Sequence, residues 1–244
     1  MKKDYVTNYR AYRLALILLV LAIALGSCSN STCIKGEGAI ENRSLQLDLF
    51  SKIEVNGSFK VYLTQGPVQQ VEVKGEPNIL SQLNTTVSNN TWKIEHKECI
   101  RRNKDVEVYI TMPALQEVYL NGSGRISTQN TFTVTALPVT LNGSGKIDMN
   151  VKASQVTTRV IGSGEITLQG DTEQHSINIS SSGRVQAFSL LAKNATVNLS
   201  GSGVAEVNAG NTLTVQISGS GSVYYTGSPT VSSSISGSGK VIKK

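Results

Sequence analysis

From Leu45 onward, apolar and polar residues alternate in short stretches broken by Asn, Gly and Pro. Phe50-Ser51-Lys52-Ile53-Glu54-Val55 alternates up to a turn at Asn56-Gly57-Ser58, and Phe59-Lys60-Val61-Tyr62-Leu63 alternates beyond it. Gln65-Gly66-Pro67 interrupts the chain before Val71-Glu72-Val73-Lys74. A period of two bounded by such residues predicts strands and turns. Trp92-Lys93-Ile94-Glu95-His96 and Val106-Glu107-Val108-Tyr109-Ile110 read as an antiparallel pair across a charged loop. Asn78 to Leu83 reads as one helical turn or a short lid. Outside the N-terminal leader no stretch sustains a 3.6-residue period, so the chain is expected to be all-β.

In the second half the alternation acquires a second, longer period. Gly-Ser-Gly stands at Gly122-Ser123-Gly124, Gly143-Ser144-Gly145, Gly162-Ser163-Gly164, Gly201-Ser202-Gly203, Gly219-Ser220-Gly221 and Gly237-Ser238-Gly239, with a degenerate copy at Ser181-Ser182-Gly183. The copies are 18–21 residues apart. Two residues before each stand Leu120, Leu141, Val160, Ile179, Leu199, Ile217 and Ile235, all aliphatic. Two residues after each stand Ile126, Ile147, Ile166, Val185, Ala205, Val223 and Val241. A fixed period near 20 with aliphatic columns predicts a solenoid whose rungs bury their apolar faces only against neighbouring rungs. Side chains alternate faces along each strand, so one set stacks inside while the other meets water.

The glycines fit the corner of such a rung. A tight bend needs positive φ or a close backbone approach, and stacked corners leave no room for a Cβ. The degenerate Ser181 points to the first Gly position as the less constrained. A phosphate cradle would require a helix N-terminus or a Lys after the glycines, and the repeats supply neither systematically. The aliphatic residues flanking every copy also exclude a flexible Gly/Ser linker.

The N-terminus carries an address. Lys2, Lys3, Arg10 and Arg13 precede an unbroken apolar run from Leu14 to Leu25, which ends in Leu25-Gly26-Ser27-Cys28. The run is shorter than the ~20 residues of a spanning helix and has the layout of a secretory signal. Its ending resembles the bacterial lipobox, which implies cleavage before Cys28 and lipidation of that cysteine. Half of the formal net charge of +6 lies in this leader. The remainder is weak and scattered, so no nucleic-acid partner is expected. Arg101, Arg102 and Lys104 cluster, but Glu98, Asp105 and Glu107 flank them, which reads as a solvated loop. With Cys28 lipidated, Cys33 and Cys99 are left as a candidate disulfide or as two free thiols.

The chain is thus expected to divide into a signal segment over 1–27, a lipidated Cys28 with a flexible tether over 28–44, an N-terminal β cap over 45–117 and the repeat solenoid over 118–244. The passage Ile110-Thr111-Met112-Pro113-Ala114-Leu115-Gln116-Glu117-Val118, followed by Asn-Gly-Ser-Gly rungs, resembles the GIN-domain family of adhesin-head domains, over roughly residues 49–231. The resemblance implies a right-handed parallel β-helix-like solenoid preceded by an antiparallel cap region, in a lipoprotein of a Bacteroidetes-type bacterium. It brings no catalytic motif with it.

Candidate chemistry is sparse. The two histidines, His96 and His175, lie in different segments; His175 reads as a solvated loop residue and His96 as part of a strand's polar face. Glycosidase chemistry needs two carboxylates flanking the sugar bond, and lyase chemistry needs clustered acids for Ca²⁺ with a base. Asp148 and Glu165 fall on adjacent rungs but stand among Lys146, Lys152 and Arg125, which reads as surface ion pairing. No catalytic residue, cofactor or metal site is expected.

The outer face is instead rich in Thr, Ser, Asn and Gln, with Tyr119, Tyr224 and Tyr225. The expected function is a non-enzymatic, lipid-anchored envelope protein whose head binds a glycan or protein surface. The alternative is a periplasm-facing structural or envelope-stress lipoprotein, with a polysaccharide-active β-helix enzyme third. Ser29-Asn30-Ser31-Thr32 after Cys28 lacks the Lys- and acid-rich run of a surface-export tag, which favours the periplasmic face.

Overall fold

The computed structural model describes residues 33–244; the leader and Cys28 lie outside the described residues. The first half comprises β1 (Ile34–Lys35), β2 (Glu41–Leu45), β3 (Lys52–Gly57), β4 (Lys60–Gln65), β5 (Gln70–Gly75), a single helical turn α1 (Pro77–Leu80), β6 (Val87–Ser88), β7 (Thr91–Ile94), β8 (Ile100–Arg102) and β9 (Glu107–Met112). The second half comprises β10 (Glu117–Gly122), β11 (Arg125–Thr128), β12 (Phe132–Gly143), β13 (Lys146–Gly162), β14 (Glu165–Ser181), β15 (Arg184–Gly201), β16 (Val204–Gly219), β17 (Ser222–Gly227), β18 (Thr230–Ser236) and β19 (Lys240–Lys243).

The protein is a β-solenoid of parallel stacked strands. The long strands β13 to β16 each run almost a full turn, from just after one corner to the first residue of the next. Parallel registry joins Leu141 to Val160, Val197 to Val215 and Leu199 to Ile217, so each aliphatic column is continuous up the core. On the other side of the corner, Ile147, Ile166, Val185, Ala205 and Val223 form a matching column. Burying one such side chain contributes ~1.5–3 kcal/mol.

The rungs begin well before residue 118. β10 stacks on β3, with Val118 over Ile53, Leu120 over Val55 and Gly122 over Gly57. β11 stacks on β4. Asn56-Gly57-Ser58-Phe59 is therefore a corner in its own right, with Phe59 in place of the final glycine. Beneath it lies another rung, in which β7 pairs in parallel with β3 and β9 in parallel with β4. The stretches around Trp92 and Val108 are thus two sides of one rung and not an antiparallel hairpin. The polar loop between them, taken for a hairpin connection, is an expanded corner. Space and sequence also differ in order, because rung 52–65 sits between rungs 91–112 and 117–128.

An antiparallel cap closes this end. β5 pairs with β9 through Val71–Ile110 and Val73–Val108, and β2 pairs with β5 through Leu45–Val71. Residues 41–44, expected within the tether, are part of this sheet, and β1 pairs in parallel with β8. At the opposite end, among the described residues, Val231 and Ile235 of the last rung are exposed at 38% and 43%.

Candidate functional site

Each corner is built by hydrogen bonds from rung to rung. The Gly122 carbonyl accepts from the amides of both Ser144 and Gly145, at 3.1 and 3.0 Å. The first glycine takes positive φ, +121° at Gly143, where an L side chain is strained. The last glycine is limited by contact: a Cβ on Gly145 would stand 2.6 Å from the Gly124 carbonyl oxygen. Ser181 is not among the residues with positive φ. Its corner makes no corresponding pair of bonds to the Gly162 carbonyl among the described residues. The first position is thus the one that sets the corner's geometry, contrary to the inference drawn from Ser181.

Three outer faces result, and they differ in charge. The face after the corner is ionic: Asp148 accepts from Arg125 at 3.2 Å and lies 3.6 Å from Lys146, which reaches Glu165 at 2.8 Å. These carboxylates are engaged with bases, and Glu165 hydrogen bonding holds the Lys146 ammonium above its usual range. Exposed pairs of this kind contribute ~0–1 kcal/mol each. The face on the far side of the second bend carries Lys152, Asp171, Glu173 and Lys193, with Glu173 and Lys193 2.8 Å apart.

The face before the corner is different. Over residues 138–236 its outward columns are Pro138, Thr157, Ser176, Thr196, Thr214 and Ser232; Thr140, Arg159, Asn178, Asn198, Gln216 and Ser234; and Asn142, Ile161, Ser180, Ser200, Ser218 and Ser236. Arg159 is the sole charged residue in these columns. Twelve of them, the whole Thr140–Ser234 column included, line an open groove of about 820 Å³ together with Ile179, Leu199 and Ile217. The Asn198 amide donates to Asn178 Oδ1 at 3.1 Å, and lower on the same face Asn142 donates to Asn121 at 3.2 Å. The outward side chains thus present hydroxyls and amides in register, with little charge to attract an ionic ligand.

The tyrosines separate. Tyr119 lies on the neutral-face side of the corner and Tyr224 on the ionic side, with the Lys244 ammonium 4.9 Å from the Tyr224 ring. Tyr225 pairs with Val207 in a core column and is partly buried, because adjacent residues of a strand must face opposite ways. A further aromatic pair, which the sequence reading passed over, stacks Tyr62 on Tyr109 at 4.8 Å. Tyr109 donates to Glu107 at 2.8 Å, and that bond pushes its pKa up to about 12.

Both histidines depart from expectation. His175 is 2% exposed, between Val156 and Ala195 in a core column, and its Nε2 lies 2.9 Å from Thr158 Oγ1. Burial pushes its pKa down to about 3. The repeat could have shown this, since from the corner at Gly143 onward the residue six before each corner is Leu137, Val156, His175, Ala195, Leu213 or Val231. His96 packs its ring 4.7 Å from that of Phe59, and burial lowers its pKa too. Among the described residues no group of three His, Cys, Asp or Glu side chains could hold a metal ion. Cys33 and Cys99 are both half-cystines, and the Ile34 amide beside Cys33 donates to the Cys99 carbonyl at 2.8 Å.

Fold and surface define a β-solenoid that presents broad flat faces to its surroundings. The chain belongs to the family described as "Putative auto-transporter adhesin, head GIN domain", whose model matches residues 49–229. Three solved structures share the fold. A "putative adhesin" from Bacteroides fragilis is 24% identical, with a TM-score of 0.82 over 86% of this chain and 100% of its own. A "putative lipid binding protein" from Parabacteroides distasonis is 25% identical, with a TM-score of 0.74 over 87% of this chain and 100% of its own. A "putative adhesin" from Parabacteroides merdae is 20% identical, with a TM-score of 0.72 over 86% of this chain and 98% of its own. No curated protein matches the chain.

Proposed function

We propose that this protein is a non-catalytic, lipid-anchored module of the cell envelope that binds a neutral glycan or protein surface through the face lined by Thr140, Asn178, Asn198 and Gln216. The observation that carries this reading is the charge asymmetry of the solenoid. Two faces hold ion pairs along the repeats, whereas over residues 138–236 the third presents hydroxyls and amides with Arg159 as the single charge of its outward columns; only its lower rungs carry ion pairs, Lys52–Glu117 and Lys93–Glu54. Flat arrays of such groups suit a hydroxyl-rich partner, because every displaced water hydrogen bond has a replacement at hand. Adhesin descriptions of the family and of two solved structures point the same way.

Anchoring rests on Cys28 and the signal-like leader, and we infer that Cys33 and Cys99 pair to pin the first residues of the head. Intact-mass and peptide measurements on protein purified from its own membranes should find acyl chains on Cys28 and a Cys33–Cys99 peptide that separates on reduction. The binding test is an array of neutral oligosaccharides and extracellular matrix proteins probed with the lipoprotein in detergent. Retention on at least one class of neutral ligand is expected. Retention on none, together with antibody labelling of cells only after the outer membrane is opened, would instead establish the periplasmic structural role.

A further inference from the structure

The cap carries a second groove, on the outer side of its sheet. Across β2, β5, β9 and β4 the outward residues Ser44, Glu72, Tyr109 and Tyr62 stand in one row. Gln70 and Thr111 pair in the next row, and exposed Gln46 lies two residues beyond Ser44. Ser44, Gln46, Gln70, Glu72, Tyr109 and Thr111 are among the residues lining this groove, whose volume is about 430 Å³. The segment after β2 walls it and is fixed by Gln69. That side chain accepts from the Phe50 amide at 3.1 Å and donates to the Asp48 carbonyl at 3.0 Å. The Tyr62 column continues into the ionic face through Ser127 and Asp148, so this groove lies apart from the neutral one.

Three properties of the lining narrow what it can hold. The first is a fixed aromatic ring. Tyr62 stacks on Tyr109 from the β4 side at 4.8 Å, and the Tyr109 hydroxyl donates to Glu107 at 2.8 Å. Tyr109 is nonetheless 40% exposed, and the β5 side of it borders the groove. A tyrosine ring held in this way attracts a cation and packs against a flat apolar surface. The second property is charge. Glu72 is exposed and in no ion pair among the described residues, and the same holds for Asp48 on the wall. The bases of β2, β5 and β9 are Arg43 and Lys74, and they are engaged by Glu41 at 2.7 Å and Glu107 at 3.2 Å. The groove therefore favours a cation and disfavours acidic sugars. The third property is its hydroxyls and carboxamides. Among the described residues the side chains of Ser44, Gln46, Gln70 and Thr111 have no hydrogen-bond partner, so they are available to the hydroxyls of a ligand. We propose that the groove binds an amino sugar, a hexosamine with a free ammonium group. Its ring packs against Tyr109, its ammonium meets Glu72, and its hydroxyls meet Gln46 and Gln70. The inference is independent of the neutral face, which differs in place and in charge.

The test titrates the full chain in detergent with a fluorescent short oligomer of glucosamine and, separately, with its fully N-acetylated counterpart, reading polarisation. Acetylation removes the cation and should weaken binding about tenfold or more, the share of a charge-assisted hydrogen bond. Glu72→Gln, a conservative change of an exposed side chain, should abolish that preference. Tyr109→Ala should weaken the glucosamine oligomer about threefold or more, through loss of the ring under the cation. Ethanolamine, an ammonium without a sugar ring, should compete poorly against it. Equal binding of the two oligomers by the native chain, or binding of neither, would overturn the proposal. A preference for glucosamine that survives Glu72→Gln would place the cation elsewhere and overturn it too. Ethanolamine competing as well as free glucosamine would show that the groove reads only the ammonium, which overturns the assignment to a sugar.

Discussion

At the residue scale, the solenoid is limited by what its columns tolerate. Replacing Gly145 with Val places methyl groups where the Gly124 carbonyl and a Leu120 methyl already sit. Overpacking of that kind costs about 1–3 kcal/mol or more, so the thermal midpoint should fall by several degrees. An unchanged transition would refute the stacked corner. His175 makes a prediction of a different sort. Its folded pKa, about 3, lies below the ordinary value of 6.5, so the folded state favours the neutral ring. The stability this represents is fully present above pH 6.5 and is lost as pH falls toward 3, by at most about 1.4 kcal/mol per pH unit. Urea titrations of His175→Val across that range should show a shallower decline than the native chain. Identical slopes would show that His175 is not the group that titrates, leaving the half-buried His96 as the alternative.

At the element scale, the corner decides how rungs stack. The degenerate corner at Ser181 tests this directly, because it lacks the positive φ and the paired bonds seen at Gly143. Ser181→Gly should restore two hydrogen bonds, each contributing about 1 kcal/mol, against an entropic cost of about 0.5–1 kcal/mol. A small rise in the thermal midpoint is expected, and a fall would show that the corner does not depend on the first glycine. The same element explains what could be read from the chain. The repeats after residue 118 were legible because each corner keeps the same residue types at the same offsets. Rung 52–65 was hidden by Phe59, which stands where the repeat requires Gly. Rung 91–112 was hidden by the expanded corner that carries Cys99, and no local pattern reveals that a strand will pair in parallel with one forty residues earlier. His175 was misread because Glu173 and Gln174, two consecutive exposed residues, shift the phase of alternation at the bend.

At the scale of the whole molecule, charge is sorted by face. The ionic face is a feature that composition averages away, since it depends on which acids the fold engages with which bases. The neutral groove was legible only as a general richness in Ser, Thr, Asn and Gln; its confinement to one side required the registry of the rungs. Antibody labelling of intact cells should detect the head if the groove meets partners outside the cell. The most direct test of the central claim compares the native lipoprotein with two double variants on the same array of neutral oligosaccharides and matrix proteins. Asn198→Lys with Gln216→Lys places charge in the groove, while Gln186→Lys with Glu206→Lys adds charge to the ionic face. The account predicts that the first pair abolishes retention and the second leaves it unchanged. Loss with the second pair and not the first would contradict it.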